Sequence, residues 1–259
     1  MRVTQKREEI NTRVRNAARK LFLSNAFADF SETSGTLQQA EFLMRALEQE
    51  IELREENKKK RLLRRAWFPT VKSFADYDYT HVTMPPAMTK AELEDVTFVP
   101  GKQNLVLYGP VGTGKTHMAI AAGREACKQG YKTRFYTVAE LVLALSSARR
   151  DGKLDRLHKE LKALDLLILD EWGYVPIDRD GAQLLFRVIA DSYEQKSIIL
   201  TTNLEFSKWG GMFTDDQMTA AMIDRLVHHG HMFIFDGKSY RMEHALMGKN
   251  ADVKDIDVA

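Results

Sequence analysis

The octapeptide GPVGTGKT, Gly109 to Thr116, constrains this chain more than any other stretch. It matches G-x-x-x-x-G-K-[ST] in full, follows the apolar run Leu105–Tyr108 and opens a helical pattern that begins near Lys115. Strand, glycine turn and helix in that order make a loop whose backbone N–H groups turn inward around a phosphate, with the positive end of the helix behind it. Gly109, Gly112 and Gly114 permit the turn, and Thr113 lies within it. Lys115 can reach the β/γ oxygens of a nucleotide, and the Thr116 hydroxyl can bind Mg²⁺. The expected cofactors are ATP and Mg.

A loop of this kind belongs to a parallel sheet, and the rest of the sequence supplies one. NLVLYG, TRFYT, DLLILD, SIILTT and MFIFD are short apolar runs, and each of the first four is followed by a helical pattern. That alternation predicts βα units with a buried parallel sheet, an α/β fold. In LLILDE, Asp170 emerges at the carboxyl end of a buried strand, where it can hold the Mg²⁺ shell. Glu171 follows, placed to take a proton from an attacking water. The pair favours hydrolysis over phosphoryl transfer to a small molecule. Asn203, or Thr202, ends the strand IILTTN, where an amide can orient the lytic water. Arg225 lies near the end of the helix read from MTAAMIDRLVHHGH. It can pair with Asp224, cap carbonyls or reach a neighbouring subunit's nucleotide. His228, His229 and His231 invite a zinc reading, but no Cys or carboxylate stands at ligand spacing with them.

The N-terminal part reads differently. Residues 36–67 predict one long helix, with Thr36 and Gln39 as a capping box, an apolar stripe of Ala40, Leu43, Leu47 and Ile51, and Pro69 as its stop. A second helix is expected over roughly Glu9–Leu23, with SETSG as a break. The expected domains are a helical N-terminal domain over 1–68, a linker over 69–101 and an ATPase domain over 102–259. The formal net charge is only +2, yet Lys58–Arg65 holds six cations in eight residues, a distribution that fits either an acidic polymer or a solvated helix face. The single cysteine, Cys127, excludes an internal disulfide and fits a reducing cytosol. No run of about 18 apolar residues exists. The charged N-terminus lacks the apolar core of a signal peptide. The expected localisation is cytoplasmic, with no membrane partner.

The stretches NLVLYGPVGTGKTHMAIAAG, LLILDEWGYVP, ILTTN and AAMIDRLVHHGH…GKSYR resemble the AAA+ ATPases of the IstB and DnaC group, most closely IstB-like transposition helpers. Lys72 to Tyr79 resembles the family's K-[ST]-[LF]-x-D-[FY]-D-[FY] stretch. The resemblance implies an αβα sandwich with a five-stranded parallel sheet of order 5-1-4-3-2. It assigns Lys115 and Thr116 to Walker A, Asp170 and Glu171 to Walker B, Asn203 to sensor 1 and Arg225 to the arginine finger. A helical lid with a sensor 2 arginine is not expected, and Arg241 is the one nearby substitute.

The resemblance also implies self-assembly with ATP between subunits, binding to double-stranded DNA with little sequence preference, and action on a partner. For an IstB-like protein that partner is a transposase; for a DnaC-like loader it is a replicative helicase. Candidate DNA contacts are Arg149, Arg150 and Lys153, with Arg156 nearby, and the tail residues Lys58, Lys59, Lys60 and Arg61. A small-molecule P-loop kinase is the reading from a different class; Asn203, Arg225 and the lack of a substrate-lid signal speak against it.

Overall fold

The computed structural model describes residues 2–174, 176–213 and 216–243. By compactness the chain divides into two units, 1–61 and 62–259.

The first unit is helical: α1 (Arg2–Lys20), α2 (Asn25–Ser34) and most of α3 (Leu37–Arg65). Ile10, Val14, Ala17 and Leu21 of the first helical stretch meet Ala40, Met44 and Leu47 of α3, with Leu43 and Ile51 partly buried beside them. The apolar stripe read from the sequence is thus the buried face. The Thr36–Gln39 capping box forms: Thr36 N–H donates to Gln39 Oε1 at 2.8 Å and Gln39 N–H to Thr36 Oγ1 at 3.3 Å. Two details differ from expectation. The SETSG break is the end of a further helix, α2. Helix α3 stops at Arg65, before Pro69, because Trp67 takes a left-handed backbone with φ 60°.

The second unit holds a six-stranded sheet. Its strands are β1 (Val82–Thr83), β2 (Asn104–Tyr108), β3 (Thr133–Thr137), β4 (Leu166–Trp172), β5 (Ser197–Thr202) and β6 (Gly230–Phe235), in the order β1-β6-β2-β5-β4-β3. The five strands read from the sequence are parallel and follow the expected order 5-1-4-3-2. The correction is β1, which adds an antiparallel edge strand to β6.

Alternate residues of each strand feed two cores. Leu105, Leu107, Phe135, Leu166, Ile168, Ile199, Phe233 and Phe235 face helix α5 (Lys115–Lys128). Val106, Tyr136, Leu167, Leu169, Ile198 and Leu200 face the opposite layer. That layer is built from α6 (Val138–Arg150), α7 (Leu154–Lys162), α8 (Arg179–Ser192) and α9 (Asp216–His228). Helix α5 lies so close that a Cβ on Gly123 would meet Ile168 Cδ1 at 2.5 Å.

The stretch 69–101, expected as a linker, is part of this unit. It contains β1 and α4 (Lys90–Glu94), and it buries Met88, Leu93, Val96, Phe98 and Val99 in the α5-side core. The stretch from Ala66 to Thr83 also covers both sheet edges. Phe135 N–H of edge strand β3 donates to Ala66 O at 2.8 Å, and Val82–Thr83 pairs with β6. Between these ends, Phe68, Phe74, Tyr77 and Tyr79 pack on the α5 side.

Candidate functional site

The phosphate loop joins β2 to α5, and its glycines take conformations closed to other residues: φ is 151° at Gly109, 83° at Gly112 and 100° at Gly114. Gly112 has a second constraint. A Cβ there would lie 2.1 Å from Ser239 Oγ, and Tyr240 N–H donates to Gly112 O at 3.1 Å. The segment leading into α10 (Tyr240–Glu243) therefore rests on the loop. Arg241 of that helix lies within electrostatic reach of Lys115 and Tyr174.

Lys115 is buried, and its ammonium donates to Gly109 O at 2.7 Å and Pro110 O at 2.6 Å. Burial pushes its pKa down to about 8, against the pull of Asp170. Thr116 Oγ1 lies 2.9 and 3.2 Å from the two oxygens of buried Asp170. Thr201 at the end of β5 donates its hydroxyl to the same carboxylate at 2.5 Å and accepts Glu171 N–H at 3.1 Å. Thr116, Asp170, Thr201 and Glu171 thus form one hydrogen-bonded row from the amino end of α5 across the carboxyl-terminal parts of β4 and β5.

Glu171 itself is exposed and left-handed, with φ 61°, at a register shift between β4 and β5. A non-glycine residue there costs about 1–2 kcal/mol. The bend aims its side chain away from the ladder into a groove shared with Val138, Val142, Tyr174 and Asp178. Asn203 follows β5, and its Oδ1 is buried without a hydrogen-bond partner. The preceding Thr202 is locked: its hydroxyl donates to Trp172 O at 2.9 Å and accepts Leu204 N–H at 3.0 Å. Buried Trp172, Trp209 and Phe213 pack beneath this turn.

On the α5 side, His117 Nε2 lies 2.9 Å from Ser73 O and its ring meets Tyr77. The Tyr77 hydroxyl lies 3.5 Å from Gly114 O, and burial raises its pKa. Thr201, Ser239, Tyr77 and His117 were not read from the sequence as site residues. Only the place of Thr201 beside Thr202, at the end of a predicted strand, carried a signal.

Arg225 does not pair with Asp224. It donates to Ala221 O of its own helix at 2.7 Å and lies 5.5 Å from the Phe186 ring. The end of α9 is held by buried Asn104, whose amide donates to Leu226 O at 3.1 Å and Arg225 O at 3.4 Å while its oxygen accepts Ile198 N–H at 2.9 Å. Arg149 and Arg150 end α6, and Lys153 precedes α7; all three are exposed. Arg149 pairs with Asp180 at 3.2 Å and Lys153 with Asp151 at 3.8 Å. In the first unit Lys58, Lys59, Lys60 and Arg61 are exposed on α3, and Lys60 lies 3.7 Å from Glu56. Such surface pairs are worth about 0–1 kcal/mol, so they leave these cations open to phosphates. Among the described residues no helix is long and apolar enough to cross a membrane.

The residues present fit a magnesium nucleotide. Three glycines open the cradle, a buried ammonium points into it, and a hydroxyl–carboxylate pair stands beside it. Asn203 adds a buried oxygen still lacking a donor.

Comparison with known proteins agrees with this geometry. A family model described as IstB-like ATP-binding protein matches residues 18–248. A protein described as ATP-binding in insertion sequence IS5376 of Geobacillus stearothermophilus is 38% identical over 218 residues, 84% of this chain and 86% of its own. Its counterpart in IS21 of Pseudomonas aeruginosa is 38% identical over 203 residues, 78% and 77% of the two chains. Among solved structures, DnaI superposes with a TM-score of 0.51 at 17% identity, over 68% of this chain and 93% of that one. The DnaC helicase loader gives 0.44 at 23% identity, over 56% and 88%.

Proposed function

Because this chain belongs to the IstB-like ATP-binding proteins and has the AAA+ fold, we propose that it hydrolyses ATP, assembles with it on duplex DNA and directs the transposase of an insertion sequence. The observation that carries hydrolysis is the hydrogen-bonded row from Thr116 through Asp170 and Thr201 to Glu171. It ties the metal-binding pair to the backbone of the proposed general base, so the two are set by the same threonine.

The chain's own residues divide the work. The loop N–H groups and Lys115 grip the phosphates. Thr116 and Asp170 would hold Mg²⁺, which neutralises charge on the phosphate oxygens. Glu171 takes the proton of the attacking water as that water's oxygen bonds to phosphorus and the bond to the leaving diphosphate breaks. Asn203 orients the water through its amide. Arg225 serves the site of a neighbouring copy. In the described conformation it bonds its own helix, so assembly must draw it off Ala221 O.

Duplex DNA as partner is supported by the exposed cations at Arg149, Arg150 and Lys153 and on Lys58–Arg61. The transposase is supported by relatives named for insertion sequences. Phosphate release by the full chain with ATP and Mg²⁺, with and without long duplex DNA, tests the reading. Hydrolysis stimulated by the duplex is expected. If duplex DNA neither binds nor stimulates at low salt, the transposition reading fails and a helicase-loader role replaces it.

A further inference from the structure

The histidines of the HHGH stretch lack a third ligand in sequence, but the fold supplies one. Glu194 lies in the turn between α8 and β5, and His228 and His229 lie where α9 ends. One ligand atom from each falls within 4.8 Å of the others. The His229 Nε2 and Glu194 oxygen are 3.2 Å apart, and the two histidine rings are 4.2 Å apart between centroids.

The geometry points to a site for a borderline divalent metal of the zinc class, held by Glu194, His228 and His229. Two donors bound tetrahedrally at about 2.0–2.1 Å stand about 3.3 Å apart, close to the spacing His229 and Glu194 already have. All three residues are exposed, so rotation about their side chains can close the remaining gap. Two imidazoles and one carboxylate suit zinc over magnesium, which prefers oxygen alone. His228 also has an orienting partner: its Nδ1 lies 2.9 Å from the Tyr193 hydroxyl. With the proton on Nδ1 donated to that oxygen, Nε2 is free to bind the metal, the usual support for a metal-bound histidine. Three protein ligands leave a fourth position for water or a group from another molecule.

The site is separate from the nucleotide. It stands just before β5 and β6, whereas the phosphate loop follows β2, so in a parallel sheet the two lie at opposite ends. A bound metal would pin the end of α9 to the α8–β5 turn, one helical turn beyond Arg225.

The test uses the full chain stripped with a chelator and kept free of nucleotide and Mg²⁺. Zn²⁺ is titrated against a chromophoric chelator, and Co²⁺ is followed by its visible absorption. One equivalent per chain is expected, with the low-coordinate Co²⁺ spectrum. E194Q and H229A should each weaken affinity about tenfold or more, and Y193F should weaken it less. H231A, which alters the same stretch outside the cluster, should bind as the parent does. Circular dichroism of each variant guards against misfolding. No binding by the parent, or affinity equal to the parent's in E194Q or in the H228A/H229A double variant, would overturn the assignment.

Discussion

Lys115 is set against the folded state by its own burial. Its pKa falls to about 8, so the folded chain binds this proton less readily than the unfolded chain does. The penalty is full below pH 8 and fades as pH rises from there towards the ordinary lysine value near 10.5. Thermal melts of the parent and of Lys115→Met, without nucleotide, should differ most in the variant's favour at neutral pH. The balance should shift towards the parent above pH 8. A difference constant with pH would mean the ammonium is not desolvated. Glu171 is held in a left-handed conformation that ordinary packing does not require. Glu171→Gln should bind ATP but lose roughly 10²–10⁴ in turnover, as measured by phosphate release. Parental turnover would make it only a strand-end acid. Asn203→Ala should likewise bind ATP and hydrolyse it slowly; lost binding would make Asn203 structural. Lys115 and Thr116 were legible because neighbours in sequence are neighbours in that loop, and Asp170 because an acid follows the apolar run Leu166–Leu169. Ser239 was not legible, because it reaches Gly112 only through the return of β6.

Among elements, α9 carries the clearest consequence. Asn104 ties its last carbonyls to β2 and β5, which fixes the backbone at Arg225, while the Arg225 side chain donates to Ala221 O and meets the Phe186 ring. Arg225→Ala should bind ATP and hydrolyse it poorly. Mixed with Lys115→Ala chains it should regain activity, since one chain then brings the arginine and the other an intact site. No rescue in confirmed mixed assemblies would argue against a shared site. The five parallel strands and their helices were legible because apolar runs and helical periods alternate over long stretches. Strand β1 was not: two residues hold no alternation, and Pro85-Pro86 beside them reads as linker. Helix α2 hid for a related reason, since Ser31, Thr33 and Ser34 favour turns in isolation and tertiary burial of Ala28 and Ser31 overrides them.

For the whole molecule, the proposed binding to duplex DNA rests on its exposed cations. With cations at Arg149, Arg150 and Lys153 against the duplex backbone, affinity should ignore sequence and fall with salt, at a slope of about −0.9 per phosphate neutralised. Replacing these three with Ala should flatten the slope and weaken DNA stimulation while ATP binding persists. Replacing Lys58 to Arg61 tests the other cluster in the same titration. Slopes matching the parent in both variants would move the surface elsewhere.

The stretch from Ala66 to Thr83 has a mechanical meaning. It is fastened to β3 by a backbone bond at Ala66, to α5 through Phe68 and the Ser73–His117 contact, to the phosphate loop through the Tyr77–Gly114 contact, and to β6 by the β1 ladder. Tension drawn through the chain at residue 61 therefore meets these fastenings in series. The Ala66 bond takes the load first, followed by Trp67 against Arg134 and Tyr136 of the same strand and by Phe68 on the α5 side. The anchors after these are at the rim of the nucleotide cradle, ahead of the β1 ladder. A pull on the chain there is thus resisted at edge strand β3 and at the rim of the proposed nucleotide cradle before it reaches the β1 ladder.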